Sequence, residues 1–324
     1  MAVRKSEFSL ALNQVATERG IPVAEVLESI AGAVKIAYKK EYEITDEVEA
    51  KNPITTSINP DSGEARVFQA EKDITPPGFG RIAAQTAKQV IIQKIREAEK
   101  KSVVHYFKKL VNTLITGRVI RSDGKNAFVD IGRAEAILPQ SEQIRGERYY
   151  PNTKLIFYLA EVDDSEGKYH IIVSRRHENL IRELFRREVP ELSQGLVEVK
   201  KIVREAGERT KIAVYSKERG VDPVGSCVGQ RGVRIQTVIN SLGIDEKIDV
   251  IQWNDDPKTL ITNAISPSKK MEVVVNEKNK EAALYVDTDE LSLIIGRDGQ
   301  NIRLASLLTG YTLNAYSNDK LKEQ

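Results

Sequence analysis

The feature that most restricts what this chain can fold into is a glycine-framed segment that occurs twice. "GQRGVRIQTVINSLG" fills 229–243 and "GRDGQNIRLASLLTG" fills 296–310. Their glycines coincide at 229/296, 232/299 and 243/310, and an isoleucine stands three places after the second glycine in each copy. Ahead of each copy lie a helical stretch and two β-like runs: "ENLIRELFRREV", "LVEVKKIV" and "TKIAVYS", then "DPKTLITNAIS", "KMEVVVNE" and "AALYVD". A further β-run follows each copy, "KIDVIQW" and "TLNAYS". One GxxG alone is compatible with a tight interhelical turn. Two in the same α-β-β-α-GxxG-α-β context read as one module copied.

A helix start carries unpaired N–H groups and the positive end of the helix dipole, so it attracts phosphate. Glycines on both sides remove Cβ atoms and let a sugar-phosphate backbone come close. This is how a KH domain holds about four nucleotides of single strand. The candidate clamp residues are Gly229, Gln230, Arg231, Gly232, Arg234 and Ile235 in the first copy. In the second they are Gly296, Arg297, Asp298, Gly299, Ile302 and Arg303. The two middle residues of each loop are expected to point outward, with Arg231 and Arg297 adding charge. Val228 and Ile295, with Ile235 and Ile302, are expected to wall a groove for unstacked bases. Asp298 places a negative charge where a phosphate would lie, which predicts a weaker second clamp or a different backbone path.

Upstream, 111–177 holds five short β-runs with one long connection, "QSEQIRGERYYPN", after the third. That spacing fits a small closed barrel of OB type, with a five-stranded sandwich as the alternative. Phe128 on such a strand is either a base-stacking residue, with Arg118 and Arg133 nearby for phosphate, or barrel core. Residues 6–40 read as two helices separated at Gly20. In the first, Phe8, Leu12 and Val15 are apolar; in the second, Val23, Val26, Leu27, Ile30, Val34 and Ala37 form a stripe. Short β-like patterns run from Tyr42 to Glu71. A stretch free of Gly and Pro from Arg81 to Thr116 reads mostly as a long helix, with Ala83, Ala87, Val90, Ile91, Ile95 and Ala98 on its buried side.

No catalytic constellation survives inspection. "GFGRIA" lacks the βαβ context of a dinucleotide site and reads as a helix-opening turn. His105, His170 and His177 have no second ligand at metal spacing, and the "DD" pairs at 163–164 and 255–256 fall at a turn and a helix cap. Cys227 is the single cysteine, which excludes a disulfide framework and a thiolate zinc cluster. It reads as a packing residue. No metal or cofactor is expected. The 49 basic and 47 acidic residues leave a net charge of +2, so nucleic-acid affinity must come from local arrangement. No run reaches the length of a membrane span. A cytoplasmic monomer is expected.

The residues also carry a family likeness. "LFRREVPELSQGLVEVKKIVREAGERTKIAVYSKERGVDPVGSCVGQRGVRI" with "EKIDVIQW" resembles the first KH region of the NusA family of bacterial transcription factors, and "LSLIIGRDGQNIRLASLLTG" its second. "LNQVATERGIPVAEVLESIAGAVKIAYKKEY" and "FGRIAAQTAKQVIIQKIREAE" resemble its N-terminal domain. "GRVIRSDGKNAFVDIGRAEAILPQSEQIRGERYY" resembles its S-one-type OB domain. The resemblance implies an α+β multidomain chain: a polymerase-binding domain at 1–110, the OB fold at 111–177, and KH domains at 178–254 and 255–324. It further implies docking near the RNA exit channel of core RNA polymerase and capture of nascent single-stranded RNA. Pausing, hairpin-dependent termination and, with other factors, antitermination would follow. The 324 residues include no counterpart of the acidic repeats of some members, so contacts assigned to such repeats are not expected from them, and "ISPSKK" at 265–270 is more polar than the family pattern. Rival readings are an RNA chaperone that ignores polymerase, an RNA-degrading enzyme, and a scaffold.

Overall fold

The computed structural model describes residues 7–19, 22–45, 49–50, 52–165, 169–265 and 271–318. Gly20, most of "ISPSKK" and part of the turn after Asp164 fall outside them, as does the side chain of Val15. The chain divides into two compact units, residues 1–106 and 107–324, each described by itself.

In the first unit, helix α1 (Glu7–Arg19) contributes buried Leu12, and α2 (Val23–Glu41) starts directly after Pro22. The buried line of α2 is Val26, Ile30, Val34 and Tyr38. Tyr38 extends the expected stripe by one turn because its ring meets Phe79 edge-on at 5.4 Å. Strands β1 (Ile54–Ile58), β2 (Ala65–Gln69) and β3 (Lys72–Asp73) form an antiparallel sheet. The β-like reading from Tyr42 began too early: none of the described residues from 42 to 53 is in a strand. The "NPDSG" turn closes because Asn59 Oδ1 accepts from the backbone N–H groups of Asp61 and Ser62 at 2.9 and 3.0 Å. Helix α3 (Phe79–Lys108) buries Ala83, Ala87 and Ile91, with Val90 and Ile95 partly covered.

The second unit opens with a closed barrel of β4 (Leu114–Ser122), β5 (Ala127–Asp130), β6 (Glu135–Leu138), β7 (Lys154–Asp163) and β8 (His170–Ser174). The strand order β4-β5-β6-β8-β7 closes on itself, so the sandwich alternative falls. Gly117 permits that closure: a Cβ there would lie 2.3 Å from Val129 Cγ1.

Two modules of the same topology follow. The first has α4 (Glu178–Glu188), α5 (Pro190–Ser193), β9 (Glu198–Glu205), β10 (Arg209–Tyr215), α6 (Pro223–Val228), α7 (Val233–Leu242) and β11 (Lys247–Gln252). The second has α8 (Pro257–Ile265), β12 (Met271–Asn276), β13 (Glu281–Val286), α9 (Leu291–Ile295), α10 (Gln300–Thr309) and β14 (Thr312–Ser317). In each, the middle strand pairs antiparallel with the strand before it and parallel with the strand after the helices. The copied-module reading is what folds.

Buried charge joins the parts of this unit. Arg175, between barrel and first module, is fully buried; it donates to Glu147 and to the carbonyls of Ile156 and Leu242 at 2.8 and 2.5 Å. Arg204 on β9 meets Glu246 through two 2.8 Å bonds and also donates to the Arg175 and His177 carbonyls. Between the modules, Val203, Ala213 and Ile251 of the first sheet share a core with α8 and α10. Lys211, also buried, reaches Asp249 at 3.0 Å and the Ala264 carbonyl near the end of α8 at 2.8 Å.

Candidate nucleic-acid interface

The two GxxG loops are nearly superposable in backbone terms. Gly229 and Gly296 take φ/ψ of 76°/169° and 74°/173°, a region essentially open only to glycine. The third loop residues, Arg231 and Asp298, sit at φ 52° and 53°, and Gly232 and Gly299 at φ 78° and 70°. Successive left-handed residues turn the chain so that α7 and α10 begin with no side chain capping them. The first helical N–H of each turns back onto its own loop, Val233 to the Gln230 carbonyl and Gln300 to the Arg297 carbonyl, so the loop presents the positive end of the helix dipole, which attracts phosphate.

The first glycine of each loop has a second reason to be glycine. A Cβ on Gly229 would lie 2.8 Å from Arg234 Cγ, and one on Gly296 2.8 Å from Asn301 Cβ. Arg234 and Asn301 occupy the same place in the two copies, and both tie back to the same carbonyl. Arg234 Nη1 donates to Ser226 O at 2.6 Å, and Asn301 Nδ2 to Leu293 O at 3.4 Å and Ile294 O at 3.1 Å. Arg234 also pairs with Glu191 at 3.0 Å. It braces the loop from behind, so its charge is already engaged.

The middle residues Gln230, Arg231, Arg297 and Asp298 are all exposed. Among the described residues no carboxylate pairs with Arg231, whereas the second loop is crowded by acids. Arg303 on α10 donates to both oxygens of Glu205 at 2.7 and 3.0 Å and to Asp298 O at 3.0 Å. Gln300 donates to Glu205 and Glu208 at 2.8 Å each, and Arg297 lies 3.9 Å from Glu208. Val228, Ile235, Ile295 and Ile302 are each half-buried beside their loops. Val233, at the start of α7, is 63 % exposed. An open groove of about 710 Å³ runs behind the first loop, lined by Glu191, Asp222, Gly229, Gln230, Val233 and Arg234.

On the barrel, Ala127, Val129 and Ile131 point inward, so Phe128 faces outward and is half-buried. The core reading of Phe128 is wrong. One face of its ring is covered by Arg121, whose guanidinium carbon lies 3.6 Å from the ring centre. Arg118 is exposed opposite Asp130 on β5, and Arg133 is exposed on the β5–β6 turn. The arginine beside Phe128 is therefore Arg121. Sequence reasoning missed it because a register shift between Val119 and Arg121 brings Arg121 opposite Phe128.

His177, Asp256 and Cys227 sit in structural roles, whereas His105 and His170 are exposed. His177 Nδ1 accepts from Asn179 N at 3.0 Å and its ring stacks on Tyr158 at 4.7 Å. Asp256 accepts from Thr259 N at 2.9 Å and caps α8. Burial pushes the Cys227 thiol up to about 12. Among the described residues no group of three or more His, Cys, Asp or Glu could hold a metal ion, and no helix is long and apolar enough to cross a membrane.

Comparison with known proteins agrees with this anatomy. The family described as NusA-like first KH domain matches residues 175–253, and NusA-like second KH domain matches 257–323. The NusA N-terminal domain matches 7–76 and 69–101. The transcription termination/antitermination protein NusA of Halalkalibacterium halodurans is 38% identical over 350 residues, covering 98% of this chain and 90% of that one. That of Bacillus subtilis is 38% identical over 350 residues, covering 98% and 92%. The Thermus thermophilus protein is 38% identical over 345 residues, covering 95% and 89%.

Proposed function

The chain belongs to the NusA family, and from that premise we propose that it is a transcription termination/antitermination factor that holds nascent single-stranded RNA. The observation that carries this reading is the pair of GxxG loops, each turned by left-handed residues so that an uncapped helix start faces outward. Such a site attracts a phosphate to the positive end of the helix, and half-buried isoleucines beside it offer apolar surface to unstacked bases. Gly229, Gln230, Arg231 and Gly232 form the first clamp. Gly296, Arg297, Asp298 and Gly299 form the second, with Ile235 and Ile302 alongside. Phe128, Arg118 and Arg133 extend the RNA path onto the barrel. Residues 1–110 dock on core RNA polymerase near the RNA exit channel, 111–177 act as the OB module, and 178–254 and 255–324 as the KH modules. The chain works as a monomer in the cytoplasm and has no catalysis of its own.

Two measurements test this. Gly232 and Gly299 are the loop glycines whose missing Cβ would meet open space, with nothing nearer than 3.8 Å. Aspartate tolerates the left-handed conformation, so Gly232→Asp with Gly299→Asp keeps the fold and repels phosphate. The double variant is expected to lose most RNA affinity; unchanged binding by the folded variant refutes the clamp assignment. Separately, the full chain is expected to bind core RNA polymerase saturably at physiological salt. A 107–324 chain should lose that binding while keeping RNA. Polymerase binding absent from the full chain would leave an RNA-binding protein with some other partner.

A further inference from the structure

The two clamps are built alike but are not equally available. Around the first, the residues corresponding to Arg297, Gln300 and Arg303 are Gln230, Val233 and Gln236; among the described residues none bonds to an acid, and Gln236 bonds Asn240 at 3.0 Å. Around the second, Arg297, Gln300 and Arg303 all face Glu205 and Glu208. Those acids come from the neighbouring module, at the turn joining β9 to β10.

That turn is held in place. Gly207 N donates to Glu246 at 2.8 Å, the carboxylate that also receives Arg204 and Thr210. Lys247 N donates to the Glu208 carbonyl at 3.0 Å. The matching turn of the second module carries no such acid at the place of Glu205: the last residue of β12 there is Asn276, paired with Glu281 as Glu205 pairs with Arg209. The acids are therefore a feature of the junction and not of the copied module.

Carboxylates that accept from a guanidinium fork and from a side-chain amide at a GxxG helix start make the bonds a phosphate would make there. We propose that Glu205 and Glu208 are an internal substitute for RNA phosphate, so that the second clamp takes a strand only by displacing them. This rests on the clamp function proposed above and adds an order to it. A free strand is captured by the first clamp, whose Arg231 is exposed. A strand anchored there reaches the second clamp at high local concentration and replaces the two acids on Arg297, Gln300 and Arg303.

The test uses the full chain and a fluorescently labelled, unstructured single-stranded RNA. Glu205→Gln with Glu208→Gln is expected to tighten binding roughly three- to ten-fold, the range of two released surface ion pairs. The salt dependence should steepen by about 0.7 for each phosphate newly contacted. Arg303→Gln added to that variant should cancel the gain. Glu277→Gln with Glu281→Gln removes the same charge from the second module's β12–β13 turn and the first residue of β13, and should give no comparable gain. Equal tightening in that control, or unchanged or weaker binding in the Glu205/Glu208 variant, overturns the proposal. Glu208→Gln alone, which leaves the Glu205–Arg303 pair intact, should give a smaller gain in the same direction and guards against a disrupted junction. Wild-type protein that binds no RNA refutes the clamp function itself, a result distinct from wild-type binding that the substitutions leave unmoved.

Discussion

Single residues at the loops divide into those that shape the clamp and those that face its ligand. Gly229 belongs to the first kind, since its φ and its contact with Arg234 both exclude a side chain. Gly229→Ala is expected to cost about 1–3 kcal/mol of stability, by strain and by pushing the brace aside. Gly232→Ala, which meets only Ile235 at 3.8 Å, should cost about 1 kcal/mol; urea unfolding of the pair checks the order. Cys227 offers a second check at this scale. It is fully buried, and burial raises its thiol to about 12. It should react with a disulfide reagent only as fast as the second unit opens, and should accelerate with urea. The glycines were legible in the sequence because a copied spacing exposed them. The role of Arg234 was not: an arginine five places after a clamp glycine looks like a phosphate ligand until Glu191 and Ser226 are seen to hold it.

At the scale of elements, the sequence carried the helices, the five barrel strands and the module order, because each rests on periodicity or on a glycine that ends a run. What it could not carry was what joins them. Arg204 and Glu246 lie 42 residues apart in sequence, and nothing local marks either as buried. Burial pushes the Glu246 carboxyl up, but the Arg204 bonds and charge, with donation from Thr210 and Gly207, more than reverse this and hold it below the usual carboxylate range. A carboxyl depressed in the folded state contributes stability that is fully present above its unfolded value, about 4.3, and is lost as pH falls through the folded one. Stability of the second unit should therefore decline on acidification below about pH 4.3, and Glu246→Gln should remove its share of that slope. At neutral pH the substitution should cost about 3–5 kcal/mol, since Arg204 would stay buried without its counter-charge. Equilibrium unfolding across pH compares the two proteins. A flat difference would mean that Glu246 titrates alike in both states.

At the scale of the whole molecule, the net charge of +2 supplies no general pull on RNA, so affinity must be assembled from few contacts. Two clamps on one unit do this by linkage. A strand held at the first raises the local concentration at the second, and avidity can exceed either affinity by about 10²–10⁴ when geometry allows both to engage. Because Glu205 and Glu208 already occupy the second clamp, the two contributions should be unequal. RNA of about four nucleotides, enough for one module, should bind weakly and lose nearly everything with Gly232→Asp while hardly sensing Gly299→Asp. Lengthening the strand until it reaches both clamps should produce a jump in affinity that Gly299→Asp abolishes. Anisotropy titrations over a series of RNA lengths, each repeated at several salt concentrations, resolve the steps. A smooth rise with length, shared equally by both variants, would mean that the strand is held by diffuse charge, and the copied module would then be a fold without a division of labour.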